Sequence, residues 1–383
     1  MRIIIATHGF SASTYKVGSF HIAKSLVYFG NSVLSISFPI SPFHIGKITN
    51  PEIRKKFKLS TKGIYKTKFG FYEYIPFSII PLSIYFAFAP KIFFNFHTFI
   101  LPPVKFLLTR KEFLDIDVLI IEHSRFIFLK QILKYKKLIY RVTDIYPFVL
   151  KNKYLYRLEE KIIKEADKIV VTSTGIKEFL QENFEVDKEI IVIENGVDVD
   201  FFLRKEKKHS RTPKIWDKYN YKIIYVGAID NRIDIDLLIH TAKQLKNKNI
   251  GIFLFGQYNN NIKNRIKNVS NLHLMGKIDY EYLPILLKKA DVGILPFRKI
   301  KENDGRSPMK LYEYGICKLP VVAVKTKDIE AKKEKFVLIS ENYEDFVENI
   351  ERAIRNKETL GNIAFESSLK MDWKEKTKKL IEN

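Results

Sequence analysis

The sequence predicts an α/β protein with two doubly wound, mostly parallel sheets. Short apolar runs alternate with amphipathic stretches along most of the 383 residues, and this alternation occurs as two series. Between the series lies a basic, apolar-poor connection. The length is too great for one average domain, and a hydrophobic content of 46% supplies material for two cores.

The first series of strands reads RIIIAT, SVLSISF, DVLIIEHS, KLIYRVT, KIVVTS and EIIVIEN. Between them are helical patterns such as GSFHIAKSLVYFG, whose last residue, Gly30, is a C-cap signal. The stretch VDVDFFLRKEKKHSRTPKIWDKYN then breaks the rhythm and reads as a linker. A second series follows: KIIYVGAID, IGIFLFGQ, NLHLMGK, DVGILPF and LPVVAV. The expected division is a first domain over residues 1–203, a linker at 204–220, a second domain at 221–358, and a C-terminal helix at 359–383 packing back toward the first. Sheets of this kind bind ligands outside the carboxyl ends of their strands, so functional residues are expected just after strands, at a cleft between the two domains.

Charge narrows the partners. Lys and Arg number 66 against 43 Asp and Glu, a formal +23, which suits a polyanion or an anionic membrane face. Nucleic acid is not the expected partner, because no zinc-finger spacing, helix-turn-helix signature or RNP-type motif accompanies the charge. The lone Cys317 excludes an internal disulfide and a cysteine-built metal site, as suits a reducing cytoplasm. The opening MRIIIATHGF reads as a buried strand rather than a signal peptide. Residues 74–104 are aromatic-rich and carry one charge, Lys91, between two uncharged runs, but Pro76, Pro81, Pro90, Pro102 and Pro103 interrupt every window long enough to span a bilayer. An interfacial docking surface is the first reading of this stretch, a buried core segment the second and a span the third.

The stretch RSPMKLYEYGICKLPVVAV, residues 306–324, combines groups suited to a diphosphate. Ser307 is expected to cap a helix and Pro308 to occupy its first position, leaving free N–H groups for an anion. Lys310 adds a full charge in the first turn, and Glu313 on the same face can accept from a ribose diol. An ordinary surface helix would also begin this way, and the position after a strand of the second series favours the ligand reading. Gly227 in YVGAID permits close backbone approach. Arg232 reads either as a phosphate contact or as a solvated loop charge. Gly256 and Lys277 close the next two strands, where a nucleotide base or a simple tight turn accounts for them. In the first series Asp144 stands just beyond KLIYRVT, where a general base belongs. A helix-capping or turn Asp is its other reading. Glu122 is the runner-up base, with His8 and His21 as supporting candidates. Three Asp-x-Asp triplets, at Asp115 and Asp117, Asp198 and Asp200, and Asp234 and Asp236, sit away from strand exits and read as structural; no metal is expected.

With these residues in place, the chain resembles glycosyltransferases of the GT-B fold, which has two Rossmann-like domains. More narrowly it is similar to the inverting glucuronosyltransferases of bacterial polysaccharide assembly, the xanthan-pathway enzyme and its relatives. THGF with GSFHIA, DVLIIEHS, KLIYRVTD, ENGVD, YVGAID and SPMKLYEYGICKLPVV carry the likeness. The resemblance implies Asp144 as catalytic base, His21 as a family histidine, and Met309 and Lys310 as contacts to uridine diphosphate. It implies a UDP-sugar donor, a lipid-linked saccharide acceptor, no cofactor, and a cytoplasmic protein on the inner face of the membrane. The chain departs from the pattern in two places. Of the two Glu spaced eight apart in retaining relatives, Glu313 matches the second and Gly305 stands at the first. The narrower family tends to carry Gln where this chain has Glu313. A retaining hexosyltransferase of the same fold is the alternative, and a basic nucleic-acid or membrane-binding protein is the rival of another class.

Overall fold

The computed structural model describes residues 1–82, 93–150, 154–204 and 212–382. Part of the aromatic stretch at 74–104, and residues 205–211 of the expected linker, therefore lie outside the described residues. The chain divides into two compact units, residues 1–193 with 377–383, and residues 194–376. This division falls ahead of residue 203 because Val197 and Phe202 belong to the second core, and Val197 exchanges backbone hydrogen bonds with Met371 and Trp373. At the other end, helix Lys357–Leu369 packs within the second unit, where Gly315 lies against Ser368 and Gly361 against Lys318. Only residues 377–383 join the first unit, and Lys168 Nζ donates to the carbonyls of Lys379 (3.1 Å) and Glu382 (2.5 Å).

The first unit has strands β1 (Arg2–Thr7), β2 (Ser32–Ser37), β3 (Tyr65–Lys66), β4 (Tyr72–Tyr74), β5 (Phe77–Ser78), β6 (Ile100–Leu101), β7 (Asp115–Ile121), β8 (Lys134–Val142), β9 (Lys168–Val171) and β10 (Ile190–Val192). Eight of them form one sheet in the order β10-β9-β8-β7-β1-β2-β4-β3, and β5 pairs with β6 separately. Ile3 stands opposite Val33 on one side and Val118 on the other, so β1 is central and its core-facing run IIIA is fully buried. Burial on both faces is why the strands of parallel sheets read as continuous apolar runs. The short strands β3 to β6 leave no such signal, and the sequence reading did not contain them.

The second unit has β11 (Tyr221–Val226), β12 (Ile250–Phe255), β13 (Leu272–Gly276), β14 (Val292–Leu295), β15 (Val321–Val324) and β16 (Val337–Ser340), ordered β13-β12-β11-β14-β15-β16 and all parallel. In the unit's own count this order is 3-2-1-4-5-6, the doubly wound arrangement with its switch point between β11 and β14. The first unit switches direction between β1 and β7. Both sheets are mostly parallel and doubly wound, as expected from the sequence. Among the described residues no helix is long and apolar enough to cross a membrane.

Candidate active site

In the second unit, three glycines lie side by side at the carboxyl ends of the neighbouring strands β11, β12 and β13. Gly227 N–H donates to Phe255 C=O at 2.9 Å, and Gly256 N–H donates to Gly276 C=O at 2.8 Å. A Cβ on Gly256 would sit 1.7 Å from the Gly227 carbonyl oxygen, so no other residue fits there. Gly276 has φ +75, which a side chain would disfavour. The result is a ledge of closely packed backbone at the strand ends, with Gly256 buried and Gly227 and Gly276 part-exposed. Lys277, next to it, is exposed.

The expected helix start is altered. The helix runs Lys310–Gly315 with Met309 at its N-cap, and no side chain caps it. Ser307 is turned to other work: its Oγ accepts from Asn195 N–H at 3.4 Å and its carbonyl from Asn195 Nδ2 at 2.8 Å. The first turn closes at Pro308, whose carbonyl accepts from Leu311 N–H at 3.1 Å. The amides of Met309 and Lys310 thus precede the first helical bond, where an anion can receive them. Tyr314 anchors the other end of the helix, its OH accepting from Val226 N–H at 2.9 Å while its ring covers Gly293. Lys310 Nζ donates to Glu313 Oε2 at 3.0 Å, and the Glu313 carboxylate is almost wholly buried. With one oxygen on Lys310, Glu313 is less open to a ribose than the sequence suggested. Arg232 is also differently engaged: its guanidinium grips Asp230 through Nε at 2.8 Å and through Nη2.

In the first unit the switch point gathers His8 after β1, Glu122 and His123 after β7, and Asp144 after β8. Glu122, the runner-up base, is excluded from proton transfer by a buried ion pair with Arg141 at 2.6 Å, both side chains at most 2% exposed. Asp144 is half-buried, and its carbonyl accepts from Tyr146 N–H at 3.0 Å. Tyr146 OH donates to the Glu122 carbonyl at 2.8 Å and its ring lies 4.1 Å from that of His123. Burial, then the charges of Arg125 and His8, hold the His123 imidazole well below its ordinary range. Its Nδ1 accepts from Arg125 N–H at 3.1 Å, consistent with the neutral ring. His8 Nδ1 and His123 Nε2 are buried without hydrogen-bond partners among the described residues, leaving two polar atoms for a ligand. His21 is buried in helix Gly18–Tyr28, edge-on to Phe20, and does not face solvent.

Two clusters escaped the sequence. Glu194 and Asp328 both pair with Lys332, which is 2% exposed and also reaches Ser307 Oγ at 3.5 Å. Burial raises the Asp328 carboxyl to about 7, opposed by the charge of Lys332. In the first unit, Glu73 is fully buried on β4 and accepts from Ser11 N–H (2.5 Å), Ser11 Oγ (2.7 Å) and Tyr65 OH. Five of the six Asp-x-Asp residues have structural side-chain partners. Asp117 bonds Lys136, Asp198 and Asp234 cap helices Val199–Leu203 and Ile235–Leu245, Asp200 bonds Lys374 and Asp236 bonds Arg265. Among the described residues no group of three or more His, Cys, Asp or Glu could hold a metal ion.

Two family models match parts of the chain. Residues 220–356 match the family model described as glycosyl transferases group 1, and residues 67–201 match glycosyltransferase family 4. An uncharacterized glycosyltransferase of Methanocaldococcus jannaschii is 28% identical over 63% of this chain and 62% of its own length. TuaH of Bacillus subtilis, whose name proposes a glycosyltransferase role in teichuronic acid biosynthesis, is 21% identical over 49% of this chain and 47% of its own. The chain thus spans less than two thirds of the length of these curated relatives. Among solved structures, sucrose-phosphate synthase of Thermosynechococcus elongatus superposes with a TM-score of 0.74 at 15% identity, covering 99% of this chain and 97% of that one. HepE of Anabaena, solved in complex with UDP and glucose, gives 0.63 at 13% identity, covering 99% and 98%. These superpositions are likenesses of fold.

Proposed function

We infer, for a chain that carries a glycosyltransferase group 1 domain and a glycosyltransferase family 4 domain, that it transfers a sugar from a nucleotide-sugar donor to a hydroxyl acceptor. The observation that carries the reading is the bare glycine ledge of Gly227, Gly256 and Gly276 on the same sheet edge as the open amides of Met309 and Lys310. The ledge admits the nucleotide, and the amides with the Lys310 ammonium receive its diphosphate. HepE, solved with UDP and glucose, supports uridine as the base. Lys277 stands beside the ledge as its outer contact, while Arg232 is held by Asp230. No metal is required, because Lys310 and the backbone amides supply the positive charge.

Asp144 removes the proton of the acceptor hydroxyl. The freed oxygen attacks the anomeric carbon as the bond to the diphosphate breaks, through a transition state of oxocarbenium character. The UDP leaving group carries the developing negative charge to Lys310. A single displacement inverts the anomeric centre. His8 orients the acceptor through its unpartnered Nδ1, with the neutral His123 behind it. The name of TuaH supports a cell-surface polysaccharide as product, and the narrower resemblance suggests glucuronic acid as the sugar and a lipid-linked saccharide as acceptor. The +23 charge supports work at the anionic inner face of the cell membrane. Glu313, at the place of the second Glu of the retaining pattern, favours a second reading, a retaining hexosyltransferase.

The test is incubation of the protein with a panel of UDP- and GDP-sugars and a bacterial lipid extract, read by nucleotide release, lipid-product mass and anomeric NMR. A mass increase on the lipid with opposite anomeric configuration supports the first reading. Retained configuration supports the second, and absence of transfer from every donor would sink both.

A further inference from the structure

We propose that the loop after β1 and the lysines gathered on it form the seat for a phosphate group of the acceptor, a proposal that rests on the acceptor reading above. Lys16 Nζ donates to the carbonyls of Ser11 at 2.5 Å and Ser13 at 2.7 Å. Lys55 Nζ donates to the carbonyl of Ala12 at 3.3 Å. Two ammoniums therefore grip one loop from helix Pro51–Ser60 and from the loop's own end. Aromatic rings position the rest. Lys16 lies 5.1 Å from the centroid of Phe20, Lys68 lies 5.4 Å from that of Phe69, and the two rings meet edge to face at 4.7 Å. Lys56 lies 5.3 Å over Phe10. Each stem is thereby held in place, so little side-chain entropy is left to lose on binding.

The carboxylates nearby are committed to the loop. Glu73 holds Ser11 and Tyr65, and Glu52 accepts from Thr14 Oγ1 at 2.8 Å and from Lys55 at 3.3 Å. Lys16, Lys55, Lys56 and Lys68 thus surround a loop whose own carboxylates are already engaged, and a phosphate monoester or bridging diphosphate is the kind of anion such a group of ammoniums receives. Burial, then the charge of Lys68, brings the Lys16 ammonium down to about 8, and burial does the same for Lys56. Such crowding is relieved by an incoming anion, which restores the charged form. Lys55 and Lys68 are exposed and Lys16 and Lys56 half-buried, so the group is open to a ligand on one side and walled on the other. Nothing in the sugar-transfer chemistry uses these residues; what they add is recognition of an acceptor that carries phosphate.

The experiment is calorimetric titration of the whole protein with inorganic pyrophosphate in saturating UDP, which occupies the nucleotide ledge. The exposed pair Lys55→Gln and Lys68→Gln, and separately Lys16→Gln, should each weaken pyrophosphate binding by about tenfold or more, the worth of a charge-assisted bond. Lys164→Gln, on a different helix and paired with Glu160, should leave it unchanged. Equal affinity in the cluster variants and the unaltered protein would overturn the proposal. A parallel arm uses vesicles of phosphatidylglycerol and phosphatidylcholine in equal parts. If the cluster variants lose vesicle binding but keep pyrophosphate binding, the lysines read a lipid surface and the acceptor seat is refuted. Failure to bind UDP counts against the nucleotide-sugar reading, whereas a flat pyrophosphate comparison counts against this site alone.

Discussion

Lys310 and Glu313 face each other one turn apart, with Nζ 3.0 Å from Oε2 and the carboxylate nearly sealed from solvent. Removing the lysine strands a buried charge as well as a phosphate contact. Lys310→Met should lower stability by roughly 1–3 kcal/mol and weaken UDP binding by about tenfold or more. Adding Glu313→Gln should recover much of the stability and none of the affinity. Urea unfolding and UDP calorimetry on the single and double variants separate the two effects, and a double variant that regained UDP affinity would contradict the role given to the ammonium.

Asp144→Asn keeps the shape of the side chain and abolishes its basicity. Turnover should fall by about 10²–10⁴-fold while UDP affinity stays within twofold, since the nucleotide residues belong to the other unit. Turnover close to normal would move the base elsewhere.

The pair of Glu122 and Arg141 is buried on both sides. Breaking it by Glu122→Gln or Arg141→Met should cost about 3–5 kcal/mol each, because a buried charge then loses its ion-pair partner. Replacing both should cost much less than the sum. Additive losses in urea unfolding would mean that the two residues act independently.

Glu159 is fully buried, accepts from Ser124 Oγ at 2.7 Å and from Tyr140 OH, and burial raises its carboxyl to about 7. Between the ordinary 4.5 and about 7 the folded protein holds a proton that the unfolded chain has released. Stability from this group is therefore present below pH 4.5 and is lost as pH rises toward 7. Glu159→Gln should flatten that slope, by up to about 1.4 kcal/mol per pH unit. A slope unchanged in the variant would assign the pH dependence to another group.

Gly256→Ala sets a methyl group 1.7 Å from the Gly227 carbonyl. The loops after β11 and β12 must separate, at a cost of about 1–3 kcal/mol, and UDP binding should drop with them. Full UDP affinity in this variant would remove the glycine ledge from the nucleotide site.

The long parallel strands were legible because a strand buried on both faces leaves an unbroken apolar run, as in IIIA of β1 and IGIFLF of β12. Strands β3 to β6 escaped because each spans only two or three residues and has no period to display. Asp144, Gly227 and Gly256 were legible as candidates because each follows a strand directly, where a doubly wound sheet collects its ligand groups. Ser307 was misread as a cap because capping preference is local, whereas its partner Asn195 lies 112 residues away in sequence. The Lys16 cluster was invisible for the same reason, being gathered from a loop, a helix and a hairpin that separate in sequence.

Sequence alone determined the two α/β units, the strands that carry their cores and the short list of residues at strand exits, since hydrophobic period and turn chemistry are properties of neighbouring residues. Tertiary structure alone decided which of those residues are chemically available. It committed Glu122 to Arg141 across 19 residues and Arg232 to Asp230, while leaving the amides before Leu311 open. Whether a charge is spent or free depends on what the fold brings within about 3 Å of it, and no local pattern records that distance.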